Sequence, residues 1–400
     1  MSFFANVEMA PGDPILGLTE TFLADTRAGK INLGVGIYVD EQGKVPLLPS
    51  VREVEQALAL EAKPRGYLPI DGMASYDKLT QQLLFGAESP LLAAGRVATA
   101  QTIGGSAALR VAADLIRQVA GDGAKIAISN PSWGNHHVVF RTAGFELLDY
   151  RYYDSTSHGL DFAGMLEDLG KLEPGTVVLL HACCHNPTGV DLDADQWQQV
   201  IALLKERKLL PFIDIAYQGF DQGTDADATA IRLMAASGIE AFVVANSYSK
   251  SFSLYGERVG ALSMVGIDRD EAARLLSKIK QTIRANYSSP STHGAALVAG
   301  VLGSAELRVR WEQELGEMRE RIHAMRAALV ERLAAHGATG FGFIQSQAGM
   351  FSYSGLGKAQ VHRLRDEYAI YALDSGRICV AALNRGNVDT VAAAVAAVTA

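Results

Sequence analysis

The sequence predicts an α/β fold, a mostly parallel sheet covered by helices on both faces, followed by a smaller α/β unit. Three observations point there. Apolar runs of strand length alternate with amphipathic helical stretches through the middle of the chain. Those runs are apolar at successive positions, which marks strands buried on both faces. One long helical stripe follows the last of them, and a short strand–helix–strand pattern comes after it.

In chain order, Ala108 to Val119 reads as an amphipathic helix and LysIleAlaIleSer at 125–129 as a strand. ValValLeuLeuHis at 177–181 reads as a second strand, and Gln196 to Lys208 as a helix. LeuProPheIleAspIle at 210–215, AlaPheValValAla at 241–245 and GlyAlaLeuSerMetVal at 260–265 complete the set of strand-like runs. From Ala305 to His336, Trp311, Leu315, Met318, Ile322, Met325 and Leu329 recur at steps of four and three, which is one face of a helix sustained for many turns. Gly349 to Ser354 and Arg377 to Leu383 then read as strands, with a helix from Ala359 to Tyr368 between them and another closing the chain.

The composition is that of an ordinary globular protein. Among 400 residues, 48% are hydrophobic and 20% charged, and the formal charge of −8 argues against a nucleic-acid footprint. The most apolar run, around Gly294 to Ala305, is too short to span a bilayer. The N-terminus lacks a basic start followed by an apolar stretch, so no secretory signal is expected. Three cysteines, two of them adjacent, form no disulfide framework, and a reducing cytoplasm is the expected compartment.

Four segments carry chemistry. In 247–260, Lys250 follows an apolar strand in a Ser/Gly-rich loop, where Ser247, Ser249 and Arg258 offer donors suited to a phosphate. An amine beside a phosphate cup is a combination few cofactors require. In 212–220, Asp214 sits inside an apolar run, where a carboxylate is costly unless paired. A protonated pyridine nitrogen would be such a partner, and a local cap or salt bridge would be another. In 181–190, His181, Cys183, Cys184 and His185 suggest zinc, but adjacent cysteines suit a tetrahedral ion poorly. AsnProThrGly is instead turn chemistry after a strand, and it leaves Asn186 at the sheet edge. In 102–110, Gly104, Gly105 and Ser106 lead into a helix whose free N–H groups suit an anion, with an ordinary N-cap at Ser106 as the plainer reading.

Together these segments resemble the aspartate and aromatic amino acid aminotransferases, the class I, fold type I pyridoxal phosphate enzymes. The similarity runs from AspProIleLeuGly at 13–17 to ArgIleCysValAla at 377–381. It is carried by AsnLeuGlyValGlyIleTyr at 32–38, AsnProSerTrpGlyAsnHis at 130–136, HisAsnProThrGly at 185–189, AspIleAlaTyrGlnGlyPhe at 214–220, SerTyrSerLys at 247–250, GlyGluArgValGly at 256–260 and IleArgAlaAsnTyrSer at 283–288. The resemblance implies a large domain over 46–316, with a seven-stranded, mostly parallel sheet. It implies a small α/β domain over 13–45 and 317–400, and an N-terminal arm over 1–12. It implies that Lys250 holds pyridoxal 5'-phosphate as a Schiff base, that Asp214 pairs with the ring nitrogen, and that Tyr217 and Asn186 bond the phenolic oxygen. Trp133 would stack on the ring, and Gly105, Ser106, Ser247 and Arg258 would bind the phosphate. Arg377 would clamp the substrate α-carboxylate, with Gly36 lining the substrate side. Tyr67 and Arg284 would act across the interface of a homodimer, at the neighbour's phosphate and at a distal carboxylate.

The implied reaction is ping-pong transamination of phenylalanine and tyrosine, with tryptophan as a further candidate, against 2-oxoglutarate, and with activity on aspartate. The alternatives are an aspartate-specific aminotransferase and, from a different class, an acyl-transferase or β-lactamase-like enzyme, since Ser247 to Lys250 matches Ser-x-x-Lys. Three positions depart from the family's usual pattern: Ala107, Ser291 and Asp374. The last stands close enough to Arg377 either to pair with it or to point away. Cis bonds are expected at Asn130-Pro131 and Asn186-Pro187.

Overall fold

A computed structural model describes residues 2–9, 12, 16–64 and 66–400. The expected arm over 1–12 and the segment 13–17 therefore lie partly outside the described residues.

The centre is a seven-stranded sheet. In chain order its strands are β1 (Val97–Thr102), β2 (Lys125–Asn130), β3 (Glu146–Arg151), β4 (Val177–His181), β5 (Leu210–Ile215), β6 (Phe242–Ser247) and β7 (Gly260–Val265). Their order across the sheet is β1-β7-β6-β5-β4-β2-β3. Only β7 runs against its neighbours, pairing antiparallel with β1 and β6, so the sheet is mostly parallel as expected. The five apolar runs read from the sequence are β2, β4, β5, β6 and β7. Strands β6 and β7 are buried at every position, which explains why apolar residues occupy both of their faces.

Helices cover both faces. One face packs Ala108, Val111, Leu115 and Ile279 against Ile126, Ile128, Leu179 and Phe212. The other packs Val200, Leu204, Ile231 and Val298 against Val178, Leu180, Ile213 and Val244. The helix expected from Ala108 begins earlier, at Gly105, and its N-cap is Gly104 with φ +89° rather than Ser106. The long stripe forms a 31-residue helix, Ala305–Ala335, with Trp311, Leu315, Met318, Ile322, Met325 and Leu329 all buried.

Beyond it, Phe351–Tyr353 pairs antiparallel with Arg377–Cys379, and Ile370–Tyr371 pairs in parallel with Ile31–Asn32. The stretch expected to remain a strand to Leu383 turns into a short 3-10 helix at Val380–Ala382. Residues 31–32 and 370–371 thus meet in one two-stranded sheet. Both expected X-Pro bonds are cis.

Candidate active site

The carboxyl ends of β2, β4, β5 and β6 open on one cleft, the position at which a parallel sheet presents its ligand site. Gly36, Gly105, Ser106, Trp133, Asn186, Asp214, Tyr217, Ser247, Lys250, Arg258 and Arg377 all line it. Tyr67 and Arg284 do not. Tyr67 is 99% exposed, and Arg284 projects from the last turn of the helix Arg269–Asn286, where it donates to Ser288 Oγ.

Asp214 lies on β5 and is 7% exposed. A carboxylate only accepts, so His136 Nε2–H donates to Asp214 Oδ2 at 2.9 Å, and Ser132 hydroxyl then donates to His136 Nδ1 at 3.0 Å. Burial alone would raise the Asp214 pKa, but the hydrogen bond from His136, with the Lys250 amine beyond it, outweighs burial and holds it below the ordinary value. Trp133 meets His136 edge-on, with ring centroids 5.1 Å apart. His181 lies between His136 and His185, with both ring nitrogens buried and unpartnered, and burial pulls its pKa down to about 3. It is therefore a neutral spacer behind the acid.

Lys250 stands just past β6 with its Nζ 5.0 Å from the Tyr217 ring centre. Removal from water pulls its pKa down to about 8, with Asp214 opposing and Arg258 and Arg377 reinforcing that shift. Among the described residues it makes no hydrogen bond to Ser247, the contact that Ser-x-x-Lys chemistry requires. Ser247 Oγ accepts instead from Ser249 N–H at 3.3 Å.

One end of the cleft is an anion cup. Ala108 N–H donates back to Gly104 O, so the three preceding N–H groups of that helix have no intrahelical acceptor. Arg258 is held over them by Ser249 Oγ at 3.2 Å and Tyr255 O at 3.0 Å. A Cβ on Gly104 would come within 2.5 Å of the Arg258 guanidinium, and one on Gly105 within 2.9 Å of Ser247 Cβ. Side chains are excluded here so that backbone and donors can close on one small group.

The opposite end is a carboxylate fork. Arg377 is 2% exposed, with Nη1 donating to Asn186 Oδ1 at 3.1 Å and Nη2 to Gly34 O at 2.7 Å. Its Nε is buried and has no partner among the described residues. Because Asn186 Oδ1 accepts from Arg377, its Nδ2 faces Tyr217 Oη, 3.4 Å away. Phe351 stacks on the guanidinium at 4.0 Å, and a Cβ on Gly36 would lie 2.7 Å from its ring. Asp374 points away, pairing with Lys358 at 2.9 Å and His362 at 3.0 Å, so it does not compete for Arg377.

His136, Phe351 and Tyr255 were not assigned roles from the sequence. His136 ends the segment AsnProSerTrpGlyAsnHis, but its partnership with Asp214 spans 78 positions. Phe351 reads only as part of a strand.

The sequence model for aminotransferase class I and II matches residues 28–395. This chain belongs to that family. It is 59% identical over 396 residues to an aspartate aminotransferase of Pseudomonas aeruginosa, covering 99% of both chains. It is 48% identical over 399 residues to an aromatic-amino-acid aminotransferase of Escherichia coli, covering 99% of this aminotransferase and 100% of that one. Its fold superposes with a TM-score of 0.96, at 60% identity and full coverage of both chains, on an aromatic-amino-acid aminotransferase from Burkholderia pseudomallei covalently bound to pyridoxal phosphate. The family excludes the acyl-transferase alternative for this aminotransferase.

Proposed function

We propose that this aminotransferase uses pyridoxal 5'-phosphate to exchange amino groups between aromatic L-amino acids or aspartate and 2-oxoglutarate. The observation that carries the reading is one cleft holding a lysine amine, a buried His136-supported carboxylate, an anion cup and a carboxylate fork. The cofactor fits these features. The cup formed by Gly105, Ser106, Ser247, Ser249 and Arg258 suits its phosphate, Asp214 its ring nitrogen, Asn186 and Tyr217 its phenolic oxygen, and Trp133 its ring face.

Bound there, the cofactor supplies an electron sink for charge developing at the substrate Cα. Asp214, kept ionised by His136, keeps the ring nitrogen protonated. Lys250 would hold the cofactor, and its amine, with a pKa lowered to about 8, is suited to move the Cα proton as base and then as acid. Arg377 orients the α-carboxylate through its planar fork. The small domain, comprising residues 13–45 and 317–400, closes over the large domain at 46–316 and brings Gly36 and Arg377 in to exclude water.

A homodimer completes the site, with Tyr67 and Arg284 reaching the cleft of the opposite protomer. Exposed Phe3, Phe4, Val7 and Met9 support an arm that packs on a partner, and the exposed Tyr67 supports the same arrangement. No helix among the described residues is long and apolar enough to cross a membrane, and the three cysteines are free and buried, which suits a cytoplasmic enzyme.

The relatives' names divide between aspartate and aromatic substrates. One pocket can serve both if Arg284 pairs with carboxylates and swings aside for rings. Glutamate formation from 2-oxoglutarate with L-tyrosine and with L-aspartate tests this. In Arg284→Leu, kcat/KM for aspartate should fall about 10²-fold and that for tyrosine far less. Equal losses reject the swinging arginine.

A further inference from the structure

The long helix Ala305–Ala335 turns its apolar stripe inward, and Arg326 stands on that stripe beside Met325, between Ile322 and Leu329. It is 1% exposed. A guanidinium is a costly occupant where leucine would pack, unless its charge is satisfied. No acid pairs with it among the described residues. Nη1 donates to Ile344 O at 3.1 Å, and Nη2 fans onto the carbonyls of Ala348 at 3.3 Å, Gly349 at 2.8 Å and Phe351 at 2.5 Å. Burial lowers its pKa to about 10, which still leaves it charged near neutrality.

All four carbonyls belong to one segment, and that segment backs the carboxylate fork. At its end the Phe351 ring lies against Arg377 and meets Tyr217 edge-on at 5.8 Å. The strand that begins at Phe351 pairs with the strand that begins at Arg377, with Tyr353 opposite Arg377 and Phe351 opposite Cys379. The same segment leans on the turn that carries Asn186. Ala348 N–H donates to Gly189 O at 2.6 Å, and a Cβ on Gly349 would lie 2.5 Å from Cys184 Cβ. Both side chains that hold the Arg377 guanidinium, Asn186 and Phe351, are thus braced by backbone that Arg326 gathers.

We propose that Arg326 is a positioning residue for substrate recognition, fixing the 344–351 backbone so that Phe351 holds the Arg377 fork in its carboxylate-receiving orientation. The proposal rests on the aminotransferase reading above. Methionine would fill the space but leave four carbonyls without their donor. Lysine, with its donors on one atom, can reach only part of the fan.

The test compares Arg326→Lys, Arg326→Gln, Phe351→Leu and the combined Arg326→Gln/Phe351→Leu protein, each loaded with pyridoxal phosphate. KM for L-tyrosine and for 2-oxoglutarate should rise about tenfold in Arg326→Gln and less in Arg326→Lys, with kcat changed far less. The visible absorbance of the cofactor on Lys250, and its pH midpoint, should not move. The combined protein should lose no more than its worse single parent, since both changes act through one contact. Unchanged KM with lowered thermal stability would overturn the proposal. So would multiplying losses, which separate Arg326 from Phe351, a pH midpoint that moves with KM, which places the effect at Lys250, or failure of both Arg326 variants to fold, which makes Arg326 a residue of the fold alone. Failure of the aminotransferase reading looks different: wild-type protein would then show neither the absorbance nor turnover.

Discussion

At the floor of the cleft, Asp214 sits inside a strand flanked on both sides by parallel neighbours, with His181 opposite it in register and His136 bonded to it. The wall opposite is assembled differently. Arg377 and Phe351 stand on a pair of three-residue strands, and their positions depend on an amide, a ring face and loop carbonyls. The floor is held by ladder hydrogen bonds and a packed core, which leave little freedom to a side chain. The wall is buried as well, but its two key side chains are oriented by contacts to segments far apart in the chain. That difference suits the two tasks. Proton transfer at Cα needs a fixed electrostatic arrangement, whereas the wall has to grip the α-carboxylate that every substrate carries.

Breaking the floor should therefore cost rate for every substrate alike. Asp214→Asn removes the charge that keeps the ring nitrogen protonated, and kcat should fall on the order of 10³-fold, with the same ratio for tyrosine and aspartate in single-turnover assays. A substrate-dependent loss would show that the floor also recognises side chains.

Breaking the wall should cost binding instead. Arg377→Lys keeps the charge but loses the fork, and KM should rise on the order of 10- to 100-fold with a smaller change in kcat. A fall in kcat as large as the rise in KM would erase the distinction between the two regions.

A smaller effect sharpens the electrostatics of the floor. Only the neutral amine of Lys250 attacks an aldehyde. Burial disfavours its ammonium form, so the rate at which cofactor-free protein takes up pyridoxal phosphate should rise with pH and level off above about 8. In Asp214→Asn the midpoint should shift lower, because the aspartate charge opposes the burial effect. A midpoint near the ordinary lysine value would mean that the amine stays in water.

The same contrast governs what the sequence made legible. The apolar runs read as strands are all interior to the sheet. The two that went unread, Val97–Thr102 and Glu146–Arg151, are its edges. Edge strands need not be apolar at every position, and Glu146–Arg151 has only Tyr150 buried. At the site, Lys250, Asp214 and Asn186 were legible because each follows or interrupts an apolar strand. His136, Phe351 and Arg326 were not, because their roles come from contacts made only on folding. Arg326 in particular carries the composition of a solvent-facing helix residue while standing on the buried stripe. Tyr67 and Arg284 were named through the resemblance, and they lie outside the cleft of this chain; the proposed homodimer would bring them to the opposite one.

The claim on which the account depends is that Lys250, facing Asp214, carries the cofactor. Borohydride reduction of the purified protein with pyridoxal phosphate, followed by peptide mass mapping, tests it directly. The account predicts a single pyridoxyl adduct on the peptide containing Lys250. An adduct on another lysine, or none at all, would contradict it.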